Sequence, residues 1–201
     1  MSVEFHPATA DRWRDVEDLF GVRGACGGCW CMWWRLPRAE YEAAKGAKNK
    51  RALRELIRGD AMPGMLAYVD GEPAGWCAVA PREAYRRLET SRILKPIDDR
   101  PVWSIVCLFV ARPYRKRGLS VRLIEAARRF AAERGAEVVE GYPVAPRKGK
   151  TADTFVYHGV VSAFERAGFA VVAAPSATRR IVRWTNSESV DGQPRIGSRS
   201  L

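Results

Sequence analysis

Histidine is almost missing from this chain of 201 residues: His6 and His158 are the only two. Apolar runs are short as well. None approaches the ~20 residues of a membrane-spanning helix, so no membrane partner is expected. The opening Met-Ser-Val-Glu-Phe has neither a basic n-region nor an apolar h-region, and no secretory signal is expected. Zinc-finger, helix-turn-helix and RNA-binding signatures are missing. The formal net charge of +11 therefore does not by itself imply a specific nucleic-acid partner. The five cysteines are an odd number, and Cys77 and Cys107 lie in apolar, strand-like stretches. That favours reduced thiols and a cytoplasmic location over a disulfide framework. No internal repeat and no second domain is visible.

Cys26-x-x-Cys29-x-Cys31 invites a zinc reading, but a structural zinc site wants four ligands, typically as two separated pairs. No second pair exists, so no metal is expected. The alternative is a glycine-flexed turn leading into an aromatic wall. Trp30, Trp33 and Trp34 are either plain core or, with Arg35, an acceptor pocket for a flat or anionic group.

The informative stretch runs from Val102 to Arg134. Val102–Val110 is apolar, β-branched and aromatic and carries no charge, which predicts a strand buried on both faces. Pro113 and the run Arg115-Lys116-Arg117 end it. From Leu119 the apolar residues Leu123, Ile124, Ala127, Phe130 and Ala131 recur at helical spacing, with charges between them. A strand, a glycine turn at Gly118 and a helix N-terminus make a site for phosphate or pyrophosphate. The Walker loop requires Gly-Lys-Ser/Thr, and the dinucleotide fingerprint requires three spaced glycines; neither is present.

Arg115-x-x-Gly118-x-Ser120 resembles the Arg/Gln-x-x-Gly-x-Gly/Ala pyrophosphate loop of the GNAT superfamily of N-acetyltransferases (GCN5-related, bacterial type), with Ser in place of the usual small residue. Phe164-Glu-Arg-Ala-Gly168-Phe169 resembles the family's Tyr-Glu-Lys-x-Gly-Phe. The resemblance covers roughly residues 1 to 184. It implies one α/β domain over 1–184 with a disordered tail over 185–201. The domain would hold a mixed, mostly antiparallel sheet of about six or seven strands, helices on both faces, and central parallel strands that splay apart.

The resemblance further implies an acetyl-coenzyme A-dependent N-acetyltransferase acting directly on an amine of a small molecule or protein. The alternative is an acyl-coenzyme A sensor that does not transfer. A homodimer is compatible with either. Leu108, Phe109 and Val110 would pair with the pantetheine arm. Arg115, Lys116, Arg117, Gly118, Leu119 and Ser120 would hold the pyrophosphate. The family's usual proton donor to the leaving thiolate is a Tyr at the position of Phe164, which has no proton to give. Tyr157 and His158 become the acid candidates, and Glu140 the candidate base, with a satisfied structural charge as its other reading. The sequence names no acceptor.

Overall fold

The computed structural model describes residues 1–59, 61–145 and 158–186. Tyr157 and most of the expected tail lie outside the described residues. Seven strands form one sheet: β1 (Val3–Pro7), β2 (Gly64–Val69), β3 (Glu72–Pro81), β4 (Trp103–Val110), β5 (Val138–Gly141), β6 (Ala170–Ser176) and β7 (Arg179–Thr185). Their order is β1-β2-β3-β4-β5-β7-β6. Every pairing is antiparallel except β4–β5. The β2–β3 hairpin turns on Asp70 (φ 50°) and Gly71 (φ 85°), the two consecutive positive φ angles that a tight hairpin turn of this hand requires.

Two apolar layers sandwich the sheet. On one face lies α5 (Leu119–Ala132), whose Leu123, Ile124, Ala127 and Phe130 are buried against β2, β3 and β4. Each large side chain so buried contributes roughly 1.5–3 kcal/mol of transfer free energy. The other face carries α1 (Trp13–Phe20), α2 (Arg38–Ala44), α3 (Ala47–Arg58), the loop before α2, and α4 (Arg86–Glu89). The break between α2 and α3 falls at Gly46, where φ is 81°.

The centre of the fold is a parting of strands. β4 and β5 pair only from Trp103↔Val139 to Ile105↔Gly141. β5 is only four residues long. Pro143 has no N–H to give a ladder, and Val144 makes only single bridges, to Val160 and Arg179. The Phe164 ring, from α6 (Val161–Arg166), lies so close to Gly141 that a Cβ there would overlap it. The same ring crowds Gly159. These small residues let an aromatic wedge hold the strands apart.

Candidate active site

Past Ile105, the β5-facing edge of β4 has no strand partner among the described residues. A groove of about 530 Å³ runs along it. Its walls are Leu108, Phe109 and Val110 of β4, the Tyr114–Val121 turn, and Gly159, Val160 and Ala163 at the start of α6. Ala25 and Cys26 reach over from the loop before α2.

The turn at one end of the groove is a cluster of unsatisfied donors. Lys116 (φ 60°) and Gly118 (φ 77°) both take left-handed backbone angles. Alternating such angles turns successive N–H groups toward one point, a concave anion cradle. The N–H groups of Lys116, Arg117, Gly118, Leu119 and Ser120 find no acceptor among the described residues. The last two also open α5, where the helix dipole adds positive potential. Arg115 turns back, and its Nε donates to the Val110 carbonyl at 2.9 Å, bracing the turn against the strand. Arg117 does not join the groove. It lines a small pocket on the other side with Val3, Val69 and Arg122. Lys116 thus stands in the cradle while Arg117 is excluded from it by the same alternation of backbone angles.

The acid–base candidates are placed differently from what the sequence suggests. Glu140 is 2% exposed and sits in the paired part of β5, away from the groove wall. It accepts from Arg183 Nη2 at 2.7 Å and Nε at 3.0 Å, and from the Tyr142 hydroxyl at 3.1 Å. Tyr142 in turn bonds Ser104 and Arg82. This is a buried, satisfied ion-pair network, the arrangement of the structural-charge reading of Glu140.

His158 is 3% exposed, and its Nδ1–H donates to the Val106 carbonyl at 3.2 Å, just where β4 loses its partner. The Trp34 ring meets it edge-on at 5.3 Å. Burial, helped by the charge of Arg179, pushes its pKa down to about 3. Near neutral pH this favours the neutral ring over the imidazolium.

The same shift predicts an acid-sensitive fold. The native ring stays unprotonated while the unfolded chain takes up a proton below about 6.5. Stability is thus complete above that pH and falls as pH drops toward 3, by about 1.4 kcal/mol per unit. His158→Asn keeps a donor for Val106 but cannot titrate. Urea unfolding between pH 7 and 5 should show a slope shallower by about one proton in this variant.

The aromatic wall divides. Trp30 is core: it stacks on Trp13 at 6.1 Å and meets Phe20 at 5.6 Å, and a Cβ at Gly24 would overlap it. Of its two readings, these contacts are those of the core. Trp33 holds the Arg87 guanidinium 3.6 Å above its ring and meets Tyr41 edge-on. Trp34 and Arg35 are buried beside His158 and Tyr85 respectively. Cys31 accepts from Trp76 Nε1 at 3.2 Å, and the Cys107 thiol beside it holds its own thiol below the usual range against the effect of burial. Among the described residues no group of three His, Cys, Asp or Glu is placed to hold a metal. Phe164 is fully buried against Phe169 and reaches no groove atom with a polar group.

Parted parallel strands, an open β4 edge and an anion cradle at a helix start together form one continuous groove. The model of the acetyltransferase (GNAT) family matches residues 30–146, and the chain belongs to that family. Its fold is similar to that of the PaiA N-acetyltransferase of Thermoplasma acidophilum in complex with coenzyme A. That structure has 14% identity and TM-score 0.50, covering 92% of this chain and 100% of that one. AAC(6')-Ib in complex with paromomycin and acetyl-coenzyme A is similar at 15% identity and TM-score 0.53, covering 97% and 99%. A GNAT-family acetyltransferase of Streptococcus agalactiae is similar at 12% identity and TM-score 0.55, covering 92% and 96%. No curated protein sequence matches the chain. No helix among the described residues is long and apolar enough to cross a membrane.

Proposed function

We propose that the protein is an acetyl-coenzyme A-dependent N-acetyltransferase. The observation that carries this reading is the continuity of the open β4 edge, at Leu108 to Val110, with the unsatisfied N–H cradle at Lys116 to Ser120. The edge offers backbone partners to the amides of a pantetheine arm, and the cradle offers donors to a pyrophosphate. Acetyl-coenzyme A supplies an activated thioester. The acceptor's neutral amine forms the new C–N bond, the C–S bond breaks, the amine loses a proton and the thiolate gains one. Trp33, Trp34 and Arg35 stand on the acceptor side of β4.

With Glu140 engaged by Arg183 and His158 held neutral, positioning carries most of the rate. Water takes the amine's proton, and Tyr157 remains the side-chain acid of this reading. No metal enters. The wedge residue Phe164, which brings no hydroxyl, favours one competing reading, a coenzyme sensor that binds without transfer.

Thiol release from acetyl-coenzyme A across a panel of small-molecule and peptide amines, with mass detection of the product, separates the two. Amine-dependent release with a gain of one acetyl group is expected. Coenzyme A binding without any such release would establish the sensor.

A further inference from the structure

Arg35 is a buried cation with no counter-ion among the described residues. It is 9% exposed, and its Nη2 has no hydrogen-bond partner. Among the described residues no carboxylate lies within ion-pairing distance of it. An isolated buried guanidinium is strongly unfavourable, and a fold retains one where an anion completes it. Two further donors nearby lack acceptors. The Tyr85 hydroxyl is fully buried and unpartnered, and the Arg35 guanidinium lies 4.7 Å from the centroid of its ring. Trp34, the preceding residue, is 8% exposed, with an unpartnered Nε1–H. Guanidinium and indole groups only donate, and a phenol can donate. The chemistry missing here is an acceptor with negative charge.

The position is as telling as the chemistry. Arg35 acts electrostatically on Cys31, and Cys31 stands beside Cys107 of β4. Cys107 precedes Leu108 and Phe109, whose edge forms the groove wall. Trp34 packs on His158, which bonds Val106 where the strands part. The orphaned donors thus lie near the point where β4 loses its partner and the groove begins. The loop that carries them is held in a costly shape: Trp30 (φ 44°) and Cys31 (φ 55°) are consecutive non-glycine residues with left-handed angles. Cys31 does not settle the charge. Its sulfur is engaged by Trp76 and Cys107 and makes no hydrogen bond with Arg35.

We infer that Arg35 and Tyr85, with Trp34, bind the carboxylate of an amino-acid-type acceptor and so select amines that carry a free carboxylate. The inference rests on the acetyltransferase reading and narrows its substrate class. A guanidinium suits this task because its fork matches a carboxylate with two parallel N–H···O bonds.

The test uses matched pairs, the standard amino acids and their carboxamides, on the full chain. Acetylation is followed by thiol release, and binding by thermal shift with coenzyme A present. The wild type should favour the carboxylate member of at least one pair by roughly a hundredfold in kcat/KM, and Arg35→Met should abolish that preference. Tyr85→Phe, which removes one oxygen, should reduce it severalfold while leaving coenzyme A affinity unchanged. Equal use of acid and amide by the wild type, or a preference that survives Arg35→Met, overturns the inference. If Arg35→Met does not fold, Tyr85→Phe decides, and an undiminished preference overturns it. If no amine is acetylated at all, the transferase reading fails separately. The carboxylate site then stands on thermal shifts given by acids and not amides, lost in Tyr85→Phe, and falls if there are none.

Discussion

Gly118→Glu is expected to abolish coenzyme A binding while leaving the fold intact. A Cβ at Gly118 meets no atom within 4 Å, and Gly118 lines the groove, so the substitution disturbs no packing and sets a side chain at the groove wall. It would bring a negative charge into a cradle of N–H groups that find no acceptor among the described residues. Losing two charge-assisted hydrogen bonds at about 1.5–3 kcal/mol each weakens binding by roughly two to four orders of magnitude. Gly118→Ala is the control for backbone strain. Its φ of 77° penalises any side chain by about 1–2 kcal/mol, without blocking the site. Isothermal titration with coenzyme A should therefore show a modest loss for Ala and no measurable binding for Glu, with similar circular dichroism for both. Undiminished affinity in folded Gly118→Glu would place the coenzyme elsewhere.

That this turn could be found in the sequence follows from how local its physics is. A charge-free strand, one glycine and a helix of period 3.6 lie within a single stretch, and each signal reports on the residues that carry it. The family and the mixed, parted sheet were legible for this reason. The acid–base candidates were not, because their states depend on partners distant in the chain. Glu140 looks like a free carboxylate until β7 is laid antiparallel to β5, which sets Arg183 directly opposite it. His158 looks like a group titrating near neutrality until the parting of β4 and β5 buries it under Trp34. Arg117 is excluded from the groove by the left-handed angle of one neighbour, which no composition reveals. The three tryptophans show the limit most clearly. Trp30 and Trp34 are close in sequence and buried in one apolar cluster, yet Trp30 packs on Trp13 and Phe20 while Trp34 packs on His158 where the strands part. Positive φ at Trp30 and Cys31 reverses the chain between them.

Glu140 gives the second large effect, and it concerns stability more than rate. The carboxylate is 2% exposed and its Arg183 partner 11% exposed, so both charges have lost most of their water. Truncating one member of such a pair costs about 3–5 kcal/mol, because the other is left buried and uncompensated. Arg183 retains Asp98, which limits the damage on that side. The Tyr142 hydroxyl also keeps Ser104 and Arg82. Glu140→Ala should therefore lower stability by about 3 kcal/mol, at the lower end of that range. Arg183→Met should cost more, since it strands the deeper charge. Urea denaturation at pH 7 measures both. The kinetic consequence separates this role from that of a base. A general base lost from the site would reduce turnover about a hundred- to ten-thousandfold and remove the rise of rate with pH. An ion pair holding β5 against β7 should leave the shape of the pH–rate profile unchanged in folded Glu140→Gln. Any fall in rate should then be matched by Arg183→Met, because both act through the same strand pairing. A flattened profile in Glu140→Gln alone would return the carboxylate to the chemistry.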